Sequence, residues 1–137
     1  DSCSLLYNNL EKYLKGLLSP VDQDHEKSTY ASKINKDESR LNWNTEAKIL
    51  EQKIRAFYPY PATWFSHKGK RYKVLKAKVS SFEGESGKIL QSPLIIGCKQ
   101  NSLEILEIQA EGKKPQSIDQ FLLGNNNFEF NSIITND

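Results

Sequence analysis

Ala62-Thr63-Trp64-Phe65-Ser66-His67-Lys68-Gly69-Lys70-Arg71-Tyr72-Lys73-Val74-Leu75-Lys76-Ala77-Lys78-Val79 is the stretch from which the fold is read. Two runs, Ala62–Ser66 and Lys70–Val79, flank Lys68-Gly69, a two-residue hairpin signal, because a tight hairpin turn needs positive φ. In the second run Tyr72 and Val74 point one way, and Leu75, Ala77 and Val79 then take over the apolar phase. A period of two that slips by one residue predicts a β-bulge, which bends a strand around a small barrel. Further strands are expected at Lys88–Leu90, Leu94–Cys98 and Leu103–Ala110, broken by Ser92-Pro93 and Gln100-Asn101. Ser117 to Gly124 combines a capping serine, one apolar face and a terminating glycine, which predicts a short helix.

Upstream of the hairpin the period is helical. Ala47, Leu50, Ile54 and Phe57 form an apolar stripe, with Asn44 or Thr45 placed to cap the first turn. Tyr58-Pro59-Tyr60-Pro61 stops that helix, since proline lacks the amide and biases its predecessor to extended geometry. Earlier still, Leu5, Leu6, Tyr7, Leu10, Tyr13, Leu14, Leu17 and Leu18 recur at helical spacing until Lys15-Gly16 and Ser19-Pro20 end the pattern. Residues 20–36 are mostly polar and read as a linker. The predicted class is therefore mainly β with α: an OB-like Greek-key barrel of about five strands with flanking helices, a scaffold often used on nucleic acids.

Composition narrows the function classes. The chain has 137 residues, 37% hydrophobic and 26% charged, enough for one modest core and against global disorder. There is no run of 18 or more apolar residues and no basic start followed by an apolar block, so neither a transmembrane helix nor a signal peptide is expected. Cys3 and Cys98 either pair or stay reduced in the cytoplasm; two reduced thiols is the plainer reading. His25 and His67 stand alone in polar surroundings and read as solvated surface residues, and no Cys/His cluster has metal-ligand spacing.

Net charge is only +2, but its distribution is uneven. Lys53, Arg55, Lys68, Lys70, Arg71, Lys73, Lys76 and Lys78 occur between positions 53 and 78 with no acid among them. Residues 101–137 hold Glu104, Glu107, Glu111, Asp119, Glu129 and Asp137 against Lys113 and Lys114. A basic stretch in a near-neutral chain is the footprint of a polyanion-facing surface, while a solvated strand face guarded by lysines is the bland alternative. Lys68, Lys70 and Arg71 at the hairpin tip, and Lys113-Lys114 in Gly112-Lys113-Lys114-Pro115, are placed to meet phosphate. Trp43, Trp64, Tyr58 and Tyr60 offer stacking faces but, beside prolines and within apolar patterns, read first as packing residues. No phosphate loop, zinc motif or nucleophile elbow is present, and Asp37-Glu38 reads as a solvated helix-start pair.

Thr29-Tyr30-Ala31-Ser32-Lys33-Ile34 followed by Lys36-Asp37-Glu38-Ser39-Arg40-Leu41-Asn42-Trp43 resembles the entry into the C-terminal domain of the methionyl-tRNA formyltransferase family. Ile54-Arg55-Ala56-Phe57-Tyr58-Pro59-Tyr60-Pro61 is close to its Ile-Arg-Ala-Phe/Leu-Asn-Pro-Trp/Tyr-Pro signature. Gly87-Lys88-Ile89, then Leu106 with Gln109-Ala110-Glu111-Gly112-Lys113-Lys114, and Ser117, Phe121-Leu122 and Gly124 match later elements in order. Asp1-Ser2, Leu6-Tyr7 and Leu10 are similar to the last helix region of the family's formyl-transferring domain.

The resemblance implies a fragment, in keeping with a first residue that is not Met. Residues 1–19 would be a residual helix of the catalytic domain, 20–36 the linker, 37–131 the OB-like C-terminal domain and 132–137 a tail. The family's N-terminal domain carries an Asn/His/Asp site for 10-formyltetrahydrofolate. Nothing here matches it, so this chain is expected to hold no catalytic residue and no cofactor. The implied partners are initiator Met-tRNA and the catalytic domain of the same polypeptide, in the cytoplasm and away from membranes, with self-association through residues 1–19 also expected. Lys33, Lys36, Lys113 and Lys114 match family positions that meet tRNA; Lys68, Lys70 and Arg71 are added from charge alone. Two alternatives stand beside this: a related formyltransferase or formyl-folate hydrolase acting on a small molecule, and a structural barrel that only packs on its catalytic domain.

Overall fold

The computed structural model describes residues 2–134; residue 1 and residues 135–137, the end of the expected tail, lie outside the described residues. The chain divides into two compact units, Asp1–Lys33 and Ile34–Asp137. In the first, helix α1 (Ser2–Leu14) ends where expected. Gly16 takes φ +71°, its amide bonds Tyr13 O at 3.0 Å, and the Leu17 amide bonds Lys12 O at 2.9 Å. That paired pattern satisfies the last helical carbonyls and needs a left-handed residue, which glycine supplies without strain. Among the described residues no helix is long and apolar enough to cross a membrane.

The second unit is built on an antiparallel sheet. Its strands are β1 (Thr63–His67), β2 (Lys70–Ser80), β3 (Ile89–Gln91), β4 (Ile95–Gly97), β5 (Ser102–Ala110) and the two-residue β6 (Gln116–Ser117). The spatial order is β1-β2-β5-β4-β3, with β6 on β5. Strands β3, β4 and β5 form a meander that returns beside β2, which is the Greek-key connection. Lys68 and Gly69 turn the first hairpin with φ of +48° and +72°, the geometry whose twist matches the flanking strands.

The phase slip in β2 is present. Pairing to β5 runs Tyr72↔Ala110 to Val74↔Ile108, then shifts at Lys76↔Glu107 and again at Ala77↔Ile105. Leu75 and Leu106 are thereby left without partners, and the inward face passes from Val74, fully buried, to Ala77, packed against the core. Val79, expected to continue that phase, is instead 41% exposed.

Helices cover the sheet. Helix α2 (Ala47–Phe57) buries Ala47, Leu50 and Ile54, and α3 (Ile118–Leu123) buries Ile118 and Phe121. Ser117 caps α3 through a bond to the Gln120 amide, as its sequence predicts. The cap of α2 is different: Glu46, not Asn44 or Thr45, is its boundary residue, and it makes no side-chain cap bond. The Ala47 amide instead donates to Gln100 O at 3.2 Å, so a loop distant in sequence replaces the local cap.

The strand ladder is open, and its two edges are covered by flanking chain. The Leu41 amide bonds Trp64 O on the free side of β1 at 2.8 Å. Along β3, the Ile89 amide bonds Ser132 O at 2.9 Å and the Asn131 amide bonds Ile89 O at 3.0 Å. Trp43, fully buried, packs edge-on to Phe65 at 5.5 Å, while its carbonyl accepts from the Lys99 amide at 3.1 Å. Gly87, at φ +80°, lies against both Trp43 and the end segment: a Cβ there would stand 2.7 Å from Ile134 O and 3.6 Å from Trp43 Cδ1.

Two sequence expectations are settled by burial. His67 is not a solvated residue: it is buried, its Nε2 lies 2.9 Å from Asn127 O, and its ring stacks on Phe128 at 5.0 Å. As an inward-facing position of β1 its environment is set by strand alternation, which outweighs the polar neighbours in sequence. Both cysteines are free, Cys3 exposed and Cys98 buried. Burial pushes the Cys98 thiol up to about 12, because a thiolate would lose its water there.

Trp43→Ala should lower unfolding free energy in urea by about 3–5 kcal/mol, the usual loss for emptying a large aromatic site, and Gly87→Ala by about 1–3 kcal/mol through strain at positive φ. Near-native values for both would mean that the packing of Gly87 against Trp43 and Ile134 is not a structural joint. A thiol reagent at pH 8 should modify Cys3 rapidly and Cys98 only after denaturant is added. Above the ordinary thiol pKa of 9.0 the unfolded chain loses the Cys98 proton while the folded chain keeps it, so stability should fall as pH rises from there toward about 12.

Candidate nucleic-acid interface

The β2–β5 pairing brings together two cationic segments that are distant in sequence. Tyr72 pairs with Ala110, so the β1–β2 turn and the Gly112 loop emerge at the same end of the sheet. The Glu111 amide donates to Arg71 O at 3.3 Å, and the Lys113 amide donates to Ala110 O at 3.0 Å. Gln109 Nε2 bonds Lys113 O at 2.7 Å, so the loop backbone is held from two sides. Between these segments and α3 lies a cleft of about 610 Å³. Lys70, Arg71 and Lys113 give it positive charge, Glu111 adds one carboxylate, and Gln116, Gln120 and Asn125 line it with amides. Tyr72 and Phe121, both buried, also line it; their rings meet edge-on at 5.8 Å.

Pairing also decides which of the eight cations stay available. On β2, Lys76 is the register partner of Glu107, and Lys78 stands opposite Glu104 with an ion pair of 3.0 Å. Arg55 pairs with Glu51 at 2.7 Å along α2. Lys53 turns inward and donates to Arg40 O at 3.0 Å; burial lowers its pKa, partly offset by nearby Glu38. Among the described residues Lys70, Arg71, Lys73, Lys76 and Lys113 make no ion pair; of these only Lys76 has an acid, Glu107, as register partner, so the unopposed cations lie toward the hairpin end of the sheet. Lys68, at the turn itself, is 3.3 Å from Glu129, an exposed contact that holds the two side chains together only weakly.

The remaining expected residues are placed as follows. Lys114 is exposed beside Lys113 but does not line the cleft. Lys36 begins a 3₁₀ turn, Lys36–Ser39, in the second unit, whereas Lys33 belongs to the first. In that turn Asn35 caps the Asp37 amide, and Glu38 accepts from the Asn35 amide at 3.1 Å. Asp37-Glu38 thus belongs to a helix-start cap, not to an acid–base pair.

The aromatic residues divide. Trp43 is core, but Tyr58 and Tyr60, read as packing residues, are 57% and 78% exposed. Ala62, buried at φ +62° with its amide on Phe57 O at 3.0 Å, takes the inward position after the two prolines, leaving the tyrosines outside. Trp64 is half-buried, with the Arg71 guanidinium 3.6 Å from its ring centroid and Arg40 at 5.3 Å. The amide wall of Gln116, Gln120 and Asn125 was not foreseen from sequence, because a pattern of charge gives no sign of neutral side chains brought in by a helix.

The second unit is a small, mainly antiparallel Greek-key domain with a cationic cleft at one end of its sheet. Residues 33–126 match the family model "Formyl transferase, C-terminal domain", and the chain belongs to that family. It is 42% identical over 120 residues to methionyl-tRNA formyltransferase of Pelagibacter ubique, covering 87% of this chain and 39% of that protein. It is 41% identical over 113 residues to methionyl-tRNA formyltransferase of Neisseria meningitidis serogroup C, covering 80% of this chain and 37% of that protein. The chain thus spans well under half the length of these relatives. In fold it is similar to crystal structures of HypX from Aquifex aeolicus. A variant of that protein gives a TM-score of 0.64 at 17% identity, over 88% of this chain and 23% of that one. Its complex with tetrahydrofolic acid gives 0.63 at 17% identity, over 96% of this chain and 26% of that one.

Proposed function

We propose that this chain is the tRNA-holding part of a methionyl-tRNA formyltransferase, orienting initiator Met-tRNA toward a catalytic domain on the same polypeptide, in the cytoplasm. The observation that carries this reading is the union of Lys70, Arg71 and Lys113 in one cleft, none of them ion-paired among the described residues. The named relatives, both methionyl-tRNA formyltransferases, support tRNA as the polyanion. The formyl donor, 10-formyltetrahydrofolate, is assigned to the catalytic domain, and no residue of this chain is assigned to it.

The mechanism is electrostatic positioning. Lysine and arginine contacts to phosphates displace condensed counterions, which gives affinity with little reading of sequence. The nearby amides add hydrogen bonds to sugar or base edges, and Glu111 sets a limit on how closely a backbone approaches on its side. Lys68 and Lys114 neighbour the lining residues in sequence without lining the cleft, and Lys33 and Lys36 are kept as further tRNA contacts on the family match alone. A small-molecule ligand is the competing reading, since the amide wall around a cleft of this size also suits a compact polar solute.

Binding of a labelled initiator tRNA transcript across a salt series separates these readings. The wild-type chain should bind weakly and lose affinity steeply with salt. Lys70→Glu with Lys113→Glu should weaken binding by more than about tenfold and shallow the logarithmic salt slope by about one for each cation removed. Lys78→Glu, whose residue is already opposite Glu104, should change affinity by no more than about twofold. A purely structural or small-molecule role requires instead that the double reversal leave tRNA binding unchanged.

A further inference from the structure

We infer that Trp64 is a positioning residue for Arg71, holding its guanidinium flat so that a phosphate at the cleft is gripped by two parallel N–H bonds; this rests on the polyanion reading of the cleft. Trp64 and Arg71 lie on paired strands, with Trp64 opposite Lys73 and Arg71 opposite Ser66, so the indole and the guanidinium are diagonal neighbours across the ladder. Their separation of 3.6 Å from guanidinium carbon to ring centroid is van der Waals stacking distance. Arg71 is one of the residues lining the cleft, and its guanidinium rests on the Trp64 ring.

Stacking matters because of what an arginine otherwise does. A free guanidinium on a three-carbon stem samples many rotamers, and ordering it on contact opposes binding. A ring beneath it removes that disorder beforehand and leaves the planar N–H edge to match two phosphate oxygens. Lysine has no planar fork and cannot use the platform in this way.

Local structure holds the platform in place. Trp64 O accepts from the Leu41 amide at 2.8 Å, and Arg40 bridges to Trp64 from the segment that covers the edge of β1. The Trp64 Nε1 and Arg40 Nη2 atoms are both enclosed without a hydrogen-bond partner among the described residues. Enclosing such donors costs stability that burial and stacking of the large ring offset. Phenylalanine would keep a π face there and remove the enclosed N–H.

The test uses the 137-residue chain as wild type, Trp64→Phe, Trp64→Leu, Arg71→Ala, Arg71→Lys and the double variant Trp64→Leu/Arg71→Ala. Affinity for the initiator tRNA transcript at one low salt concentration is measured together with the Arg71 side-chain Nε–H resonance. Arg71→Ala should weaken binding by about tenfold, as expected for one charge-assisted contact. Trp64→Leu should approach that loss, and the double variant should lose no more than Arg71→Ala alone. Trp64→Phe should stay within about threefold of wild type, and Arg71→Lys should keep the salt slope without regaining the affinity. The ring-shifted Arg71 resonance should move in Trp64→Leu with no RNA present. Wild-type affinity in Trp64→Leu, or losses that multiply in the double variant, would overturn the positioning role even though the chain binds tRNA. A wild-type chain that fails to bind tRNA at low salt would overturn the parent reading and this one together.

Discussion

The pairing of β2 with β5 is the constraint on which the rest of the second unit depends. It is the longest ladder in the sheet and joins strands that are not neighbours in sequence, so it closes the Greek key. Its irregularity at Leu75 and Leu106 lets the inward face change from Val74 to Ala77 while both ends of the ladder stay in register. Because the register holds from Tyr72↔Ala110 to Ser80↔Ser102, the hairpin turn and the Gly112 loop must leave the sheet side by side. Everything proposed for the cleft follows from that adjacency.

The same ladder sorts charge. Eight cations without an acid between positions 53 and 78 look in sequence like one basic surface. Folding divides them: Lys78 pairs with Glu104, Lys76 has Glu107 as its register partner, Arg55 pairs with Glu51, and Lys53 turns to a backbone carbonyl. What remains available is the hairpin end, where Lys113 arrives from the other strand. A net charge of +2 is compatible with a strongly polarised domain because acids stand opposite the lysines along one half of β2 and not along the other.

Elements governed by local rules were legible in the sequence. Lys68-Gly69 announced its turn, the slip at Leu75 announced the irregularity, and Ser117 and Gly124 marked both ends of α3. The stripe Ala47, Leu50, Ile54 gave α2, but not its cap, since the Gln100 carbonyl that meets the Ala47 amide comes from a loop some fifty residues away. His67 and Tyr60 were misread for one reason: sequence neighbours suggested their polarity or packing, whereas strand facing and the Ala62 turn decided it. The edge pairing of residues 131–133 beside β3 carries no periodic signal, being too short to show one. Of the cleft, the cations were readable one segment at a time. Their meeting was not, because it depends on topology, and the stacking of Arg71 on Trp64 needed the register of β1 on β2.

The central claim is that one end of the sheet, and not the basic run as a whole, meets RNA. Mapping backbone amide shifts by NMR as the tRNA transcript is added tests this most directly. The account expects the largest changes at residues 69–73, 110–114 and 116–125, with residues 76–80 little affected. Changes centred on residues 76–80 and 102–107, or spread evenly over every exposed lysine, would contradict it.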